Sequence, residues 1–182
     1  YVVGGSTSGS RNIAIGYEAL RTEDADGDRT TAVGYTALYS QNGTTEAMAN
    51  TGIGYASGYY NVTGTNNTYL GYQAGTGASG QSNSYNTGVG ADILKSITTG
   101  GYNVAVGSRC ADALTDGHQN VFVGDYAGST TTSVGFATVV GHGAMGSGDT
   151  TSAADGTVAV GCLALENLTS GAENVAVGFE AL

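Results

Sequence analysis

Short apolar segments recur along this chain, and each holds two large aliphatic or β-branched side chains around one small residue, followed by glycine. The last copy reads NVAVGFEAL (Asn174–Leu182), and an early copy reads NIAIGYEAL (Asn12–Leu20). Five of the ten gaps between the repeat glycines are 17 residues, and four others are one to three residues longer. Residues 1–182 are therefore predicted to be one repetitive segment of eleven 17-residue units. The repeat glycines are Gly4, Gly16, Gly34, Gly54, Gly71, Gly90, Gly107, Gly124, Gly141, Gly161 and Gly178.

Within each unit the alternation has a period of two, as in Val104-Ala105-Val106, which predicts a short strand with one buried face. We expect the residue before the glycine to point into the coil, and the small middle residue to allow close approach of another backbone. The glycine permits a bend, and a second short strand is expected around the alanine three residues later. The rest of the unit is rich in Thr, Ser, Gly and Asn, which favour turns. Together these features predict an all-β solenoid, or β-roll, of about eleven rungs.

Asparagine stands four residues before the glycine in seven copies: Asn12, Asn50, Asn67, Asn86, Asn103, Asn120 and Asn174. Identical amides one rung apart can form a hydrogen-bonded ladder. The alternative is a local turn role, because asparagine tolerates left-handed backbone and bonds to its own chain. Both roles are structural, and the sequence leaves the choice open.

Tyrosine follows the glycine in four consecutive units, which predicts a stacked column of Tyr17, Tyr35, Tyr55 and Tyr72. Tyr59 and Tyr60 lie in the adjoining turn and are candidate binding residues. Extra residues occur at 21–29, 39–49, 76–85 and 146–156. Insertions in repeat proteins map to outer loops, which often form the binding face, so we expect these to project from the body.

The formal net charge of -10, with only five Lys and Arg residues, disfavours nucleic acid and anionic membranes as partners. No run of 18 apolar residues is present, so no membrane insertion is expected. Cys110 and Cys162 lie three units apart, about 14 Å at the spacing of stacked strands. That separation is too long for a disulfide, so both are expected to be small apolar fillers.

Few segments carry recognisable chemistry. EDADGD includes Asp24, Asp26 and Asp28, which could offer oxygens to Ca²⁺, but the glycine and distal glutamate of an EF-hand are missing. A solvated acidic loop is the favoured interpretation, with no metal, and its three aspartates are candidate binding residues on an exposed loop. GTGASG (75–80) follows a strand but lacks the helix of a dinucleotide site, so no cofactor is predicted. His118 and His142 have no matched acid and nucleophile in sequence.

The units NVAVGFEAL, NIAIGYEAL and NTYLGYQAG resemble the head repeats of trimeric autotransporter adhesins and, more closely, the shaft repeats of bacteriophage tail fibres. The resemblance covers nearly the whole chain, and the variable insertions favour the phage fibre. It implies a β-roll built by three identical chains around a threefold axis, outside a virion or a cell. The shared motif is structural, so no receptor site is implied by it.

The leading hypothesis is a non-enzymatic structural and adhesive segment of a trimeric tail fibre. Its expected partners are two further copies, neighbouring fibre or virion segments, and a glycan or protein receptor on the host surface. The alternatives are the head of a bacterial surface adhesin and an ice- or crystal-binding solenoid. The last needs a regular threonine array, and here valine and isoleucine interrupt the threonines. Each rung buries few large side chains, so the single chain is expected to depend on assembly.

Overall fold

The computed structural model describes residues 10–22, 29–43 and 48–182, and in these it shows an all-β solenoid with one three-residue strand per rung. Each strand pairs in parallel with the next, in the order β1 to β10, which makes one ten-stranded sheet. The predicted solenoid is confirmed for ten of the eleven units, and the first, with Gly4, lies outside the described residues. The strands are β1 Ile13–Ile15, β2 Thr31–Val33, β3 Thr51–Ile53, β4 Thr68–Leu70, β5 Thr87–Val89, β6 Val104–Val106, β7 Val121–Val123, β8 Thr138–Val140, β9 Val158–Val160 and β10 Val175–Val177.

The predicted orientation of the strands is wrong. In every strand the middle residue is buried and the two flanking residues face outward. Ala105, for example, is fully buried, whereas Val104 and Val106 are 40% and 39% exposed. The physical reason is the narrow interior of a 17-residue coil, which accommodates alanine or glycine at most middle positions. The larger β-branched residues therefore occupy the outside of the sheet.

The second predicted strand is also absent from the described rungs. After each glycine the chain forms a turn in which non-glycine residues adopt left-handed backbone, such as Glu18 (φ 50°) and Leu20 (φ 53°). Left-handed residues curl the chain and prevent an extended segment. The turn still bonds to its neighbours along the axis, because Thr36 N donates to Tyr17 O at 2.8 Å. These bonds offset the conformational cost, about 1–2 kcal/mol per left-handed residue.

The repeat glycines lie at a bend, as predicted. The ten described copies have φ between 130° and 147°, which L side chains rarely adopt. In the first nine of these, an added Cβ would lie 1.5 to 2.5 Å from the carbonyl oxygen of the repeat glycine in the next rung. The described glycines therefore permit both the bend and the close stacking of rungs.

The asparagine ladder is confirmed. Asn103 Oδ1 accepts hydrogen bonds from both the backbone N and Nδ2 of Asn120, and Asn103 Nδ2 donates to Gly117 O at 2.8 Å. The same pattern joins the buried side chains of Asn50, Asn67, Asn86, Asn103 and Asn120. At the two ends, Asn12 Oδ1 accepts from Thr30 N at 2.9 Å, while Asn174 Nδ2 donates to Gly171 O in its own rung.

The core is one side chain thick, and its residues compensate for each other in size. Tyr69 and Phe122 are large, fully buried middle residues of their strands. In each of these rungs the residue four after the repeat glycine is itself glycine. A Cβ on Gly75 would lie 2.3 Å from the Tyr69 ring, and one on Gly128 would lie 2.4 Å from the Phe122 ring. In the rungs whose middle residues are Ala14, Ala32 and Ala159, a buried leucine occupies the same turn position, at Leu20, Leu38 and Leu165.

The insertions do not simply project, contrary to expectation. Gln41 is fully buried, and its Nε2 donates to Thr30 Oγ1 at 2.7 Å. Asn83 is also buried and accepts a 2.6 Å bond from the Tyr69 hydroxyl. A 3₁₀ helix at Ser152–Ala154 ends in a fully buried alanine. Inserted residues of these coils therefore extend the core as well as the surface.

Candidate interaction surfaces

The outward side chains of the ten strands form one continuous surface, here called the strand face. All ten third residues of the strands are Val, Ile or Leu, and five of the ten first residues are Val or Ile. Ten of these fifteen aliphatic side chains are at least 36% exposed, up to 69% for Val177. A contiguous apolar surface of this extent indicates an interaction site.

Threonine occupies the remaining outward positions of the strand face. Thr31, Thr51, Thr68 and Thr87 pair in register on four consecutive strands, so their side chains form a single row. Val104 and Val121 continue the row, and Thr138 follows them. The hydroxyl row is therefore regular over four rungs and then interrupted, as the sequence indicated.

The predicted tyrosine column is confirmed beside the strand face. Tyr17, Tyr35, Tyr55 and Tyr72 stack in order, with ring centroids 5.1, 5.4 and 5.2 Å apart and interplanar angles of 5° to 13°. Each ring is about half exposed. Stacking therefore covers the ring faces that point along the axis. The Glu18 carboxylate is the main cause of a raised pKa at Tyr17.

A second aromatic row, which adds Tyr39 to the predicted candidates Tyr59 and Tyr60, lies across the turn from this column. Tyr39 stacks on Tyr59 at 4.7 Å, and Tyr60 packs edge-on against Tyr59 at 4.6 Å. Tyr59 and Tyr60 are partly buried, so they are packed side chains of the turn and are not exposed on a projecting loop. Burial raises the pKa of Tyr59. Tyr39 and Tyr59 both lie five residues after a repeat glycine, and aligning the units at that offset would have revealed them.

An open hollow of about 340 Å³ separates the two aromatic rows. We call it the tyrosine groove. Its walls are Tyr35 and Tyr55 on one side and Tyr59 and Tyr60 on the other, and its remaining lining residues are Glu18, Thr36, Ala56, Gln73 and Thr76. The groove therefore combines aromatic rings with hydroxyl, amide and carboxylate groups.

Further along the axis, at the same turn positions, lies a charged hollow of about 360 Å³. Lys95 Nζ forms a 2.8 Å ion pair with Asp92, and Arg109 donates to the Tyr126 hydroxyl at 2.6 Å. Burial raises the pKa of the Asp112 carboxyl, which also lines the hollow. Two acidic and two basic groups balance each other here, so the charged hollow has little net charge.

On the opposite edge of the strand face a third hollow, of about 510 Å³, surrounds a further tyrosine pair. Tyr85 and Tyr102 stack at 4.6 Å, and Asp116, His118 and Gln119 line the same space. This pair was not predicted, although each tyrosine immediately precedes a ladder asparagine, Asn86 or Asn103.

Three chemically reactive side chains follow one another in the column that holds tyrosine elsewhere. His142 Nε2 lies 3.8 Å from Asp125 Oδ2, and His142 Nδ1 lies 4.0 Å from Cys162 Sγ. Both separations are longer than the 2.6–3.2 Å at which a general base acts on its partner. The row is solvent-exposed, and none of the three hollows described above includes it.

Both cysteines are free, as expected, but only Cys110 is a core filler. Cys110 is fully buried, and burial raises its pKa to about 12. Cys162 is only partly buried and stands in the outer column, so its predicted role as a filler is wrong. The difference arises because Cys110 lies three residues after its glycine and Cys162 lies one residue after.

The acidic segment with Asp24, Asp26 and Asp28 lies outside the described residues. In residues 10–22, 29–43 and 48–182, no group of three or more His, Cys, Asp or Glu side chains could hold a metal ion. The same ranges contain no helix with the length and apolarity needed to cross a bilayer.

The repeat residues named from the sequence therefore form the framework, and the aromatic rows and aliphatic strand face form its surfaces. Comparisons of the chain with protein-family models, with curated proteins and with solved structures found no significant match.

Proposed function

We propose that this chain is a structural and adhesive segment of a trimeric extracellular fibre, which spans distance and presents its side surfaces to a host cell. A bacteriophage tail fibre is the favoured assembly, because the repeats with variable insertions resemble those of fibre shafts. The observation that carries the proposal is the strand face, an aliphatic surface that continues through all ten described rungs.

The strand face has the chemistry of a surface that is covered in the functional state. Fully burying a Val or Ile side chain contributes about 1.5–3 kcal/mol, so covering the exposed half of one contributes roughly 1 kcal/mol. Ten such side chains together supply enough free energy for a stable association. Because every rung repeats the same outward pattern, identical chains can pair along their whole length, and closed rotational symmetry follows. The threefold symmetry rests on the resemblance.

Assembly through the strand face would leave the opposite sides of each chain available for adhesion. The tyrosine groove and the charged hollow lie beyond the glycine bend, on the turn side of the coil. The rung-to-rung hydrogen bonds of the strands, turns and asparagine ladder give the body the regular stiffness that a spacer requires.

Light scattering on the purified chain tests the proposal, with an expected mass of three times 18.0 kDa. Replacing both Val106 and Val123 with lysine should shift the protein to monomer or to aggregate, because charges would face each other across the interface. Ser96→Lys is the matched control, since Ser96 is exposed on a turn. A folded wild-type monomer at micromolar concentration, or a trimer that tolerates both lysines, would contradict the proposal.

The head of a bacterial surface adhesin remains the alternative within the same architecture. The full-length chain distinguishes the two, because an outer-membrane anchor indicates an adhesin and a virion-attachment domain indicates a fibre. Binding to an ice surface is the alternative in a different class, and the in-register row Thr31, Thr51, Thr68 and Thr87 is the observation that favours it. Ice recrystallisation assays test it, and Thr51→Lys should abolish any activity found.

A further inference from the structure

The tyrosine groove offers polar groups at a regular interval along the solenoid axis. Tyr35 and Tyr55 are 50% and 46% exposed, and their ring centroids are 5.4 Å apart. Their hydroxyls have no hydrogen-bond partner among the described residues, so they are available to a ligand. A phenol hydroxyl can donate one hydrogen bond and accept others. The wall therefore repeats one donor and acceptor per rung.

The backbone of the groove excludes a peptide that adds as a strand. Thr36 N donates to Tyr17 O, Ala56 N to Tyr35 O and Gln73 N to Tyr55 O, all at 2.8 or 2.9 Å. These bonds run between rungs, so the backbone N–H groups of Thr36, Ala56 and Gln73 are already used. Strand addition requires a free sheet edge, so it has no template here.

The charge of the groove and of the whole chain excludes a polyanion. Among the described lining residues, Glu18 is the only ionisable one apart from the tyrosines, and the chain carries a formal net charge of -10. Anionic ligands would meet an unfavourable potential and no basic partner among these residues. An apolar helix is equally unsuited, because Thr36, Gln73 and Thr76 make much of the lining polar. An uncharged, hydroxyl-rich and extended ligand fits these constraints.

We propose that the tyrosine groove binds a neutral linear polysaccharide, with the sugar chain lying along the solenoid axis. The stacking interval of 5.1 to 5.4 Å is close to the length of one pyranose residue, so successive sugars would meet successive rungs. Tyr35, Tyr55 and Tyr59 would offer hydroxyls to sugar hydroxyls, and the Gln73 amide would provide a donor and an acceptor. The exposed ring edges would make van der Waals contacts with the sugar, because stacking covers the ring faces.

The charged hollow continues the groove, because Asp92 and Arg109 occupy the turn position of Gln73 one and two rungs further along the axis. A longer sugar chain would therefore reach the Lys95–Asp92 pair. This inference rests on the proposed adhesive function and names the ligand class and the site for it.

The test is a titration of the full chain with cellohexaose, maltohexaose and chitohexaose, and with a hyaluronan hexasaccharide as the anionic probe, using calorimetry. At least one neutral hexasaccharide should bind and the hyaluronan probe should not. Replacing Tyr35, Tyr55 and Tyr59 together with phenylalanine keeps the stacked rings and removes the hydroxyls. This variant should bind at least ~10-fold more weakly, because several neutral hydrogen bonds are lost.

Gln73→Ala is a second variant that does not disturb the walls, since Ala56 already occupies the equivalent position with φ 52°. It should also weaken binding. The double substitution of Tyr85 and Tyr102 with phenylalanine is the matched control on the opposite edge, and it should bind as the wild type does. Failure of all three neutral probes to bind, preferential binding of hyaluronan, or equal loss in the control would overturn the proposal.

The mass of the assembly separates this proposal from the function on which it rests. A trimer that adheres to host cells but binds none of the neutral hexasaccharides would overturn the groove and leave the fibre intact. Specific saccharide binding by a monomer would support the groove and overturn the trimeric fibre.

Discussion

Asn103 accepts two hydrogen bonds from Asn120 with the same side-chain oxygen, one from the backbone N at 3.1 Å and one from Nδ2 at 2.9 Å. Asn103 also donates to the carbonyl of Gly117, so one amide joins two rungs at three points. Because both asparagines are buried, water cannot replace these bonds. The ladder therefore fixes the stacking of the rungs from the inside.

Replacing Asn103 with alanine should lower the free energy of unfolding by at least about 2 kcal/mol, because buried donors and an acceptor lose their partner. Asn174→Ala is the control, since its side chain lies at the end of the ladder and bonds only within its own rung. The control should lose less than about 1 kcal/mol. Urea titration measures both, and equal losses would show that the ladder is not the source of the stability.

The size compensation between Phe122 and Gly128 predicts a rescue. Phe122→Ala alone should cost about 3–5 kcal/mol through the cavity it leaves. Gly128→Leu alone should also destabilise, because a Cβ there meets the Phe122 ring at 2.4 Å. The double substitution recreates the Ala14–Leu20 arrangement found in another rung, with leucine again in left-handed backbone.

We therefore expect the Phe122→Ala, Gly128→Leu double variant to be more stable than either single variant. A double-mutant cycle from thermal or urea unfolding gives the coupling between the two sites. Additive losses would contradict direct compensation within one rung.

The tyrosine column predicts a stability difference that depends on position. Tyr55 has stacked neighbours on both sides, whereas Tyr72 has Tyr55 on one side and Ala91 in the next rung. An aromatic pair contributes about 0.5–1.5 kcal/mol. Tyr55→Ala should thus cost about twice as much as Tyr72→Ala, and Tyr55→Phe should cost little in urea unfolding. Equal losses at the two positions would show that stacking contributes nothing beyond burial.

The two cysteines should differ in reactivity. Cys110 is buried with a pKa of about 12, so it stays protonated and inaccessible, while Cys162 is partly exposed. At pH 8 a thiol reagent should modify one cysteine rapidly in the native protein and both after unfolding. Cys162→Ser should remove the fast reaction, and rapid loss of both thiols would contradict the burial of Cys110.

The raised pKa of Cys110 also has a consequence for stability above pH 9. The folded protein holds the thiol proton more tightly than the unfolded chain, whose value is near 9.0. The contribution of Cys110 to the free energy of unfolding is therefore fully present below pH 9, and it is lost as the pH rises towards 12. Tyr69, whose pKa burial also raises, acts in the same direction. Cys110→Ala should reduce the slope of stability against pH in this range, and an unchanged slope would exclude the thiol as a contributor.

The sequence was sufficient for the features that depend on the repeat alone. A fixed offset from the glycine places Tyr17 beside Tyr35 and Asn103 beside Asn120, whatever the shape of the coil. The orientation of the strands depends on more than the repeat, because Val104-Ala105-Val106 alternates equally well with either face inward. The size of the interior determines the orientation. Gly75 and Gly128 show how small the interior is, because no Cβ fits beside the aromatic ring of the same rung.

The tyrosine groove was only partly predictable for a related reason. The adjacent tyrosines Tyr59 and Tyr60 stand out in the sequence, but Tyr39 lies in another unit and Gln73 gives no signal by itself. Their proximity follows from the left-handed turn after each glycine, which the alternation of apolar residues does not encode. The burial of Gln41 and Asn83 was missed because amide-rich insertions have the composition of exposed loops.

The coils between successive strands differ in length, from 17 to 20 residues per repeat, yet every strand remains in register with the next. The axial advance per rung is thus independent of the number of residues in the coil. Short insertions and deletions should change what the sides of the protein present without changing its length. Gain or loss of an entire unit should change its length by one fixed step, about 4.8 Å. Reach and surface chemistry can therefore evolve separately in this architecture.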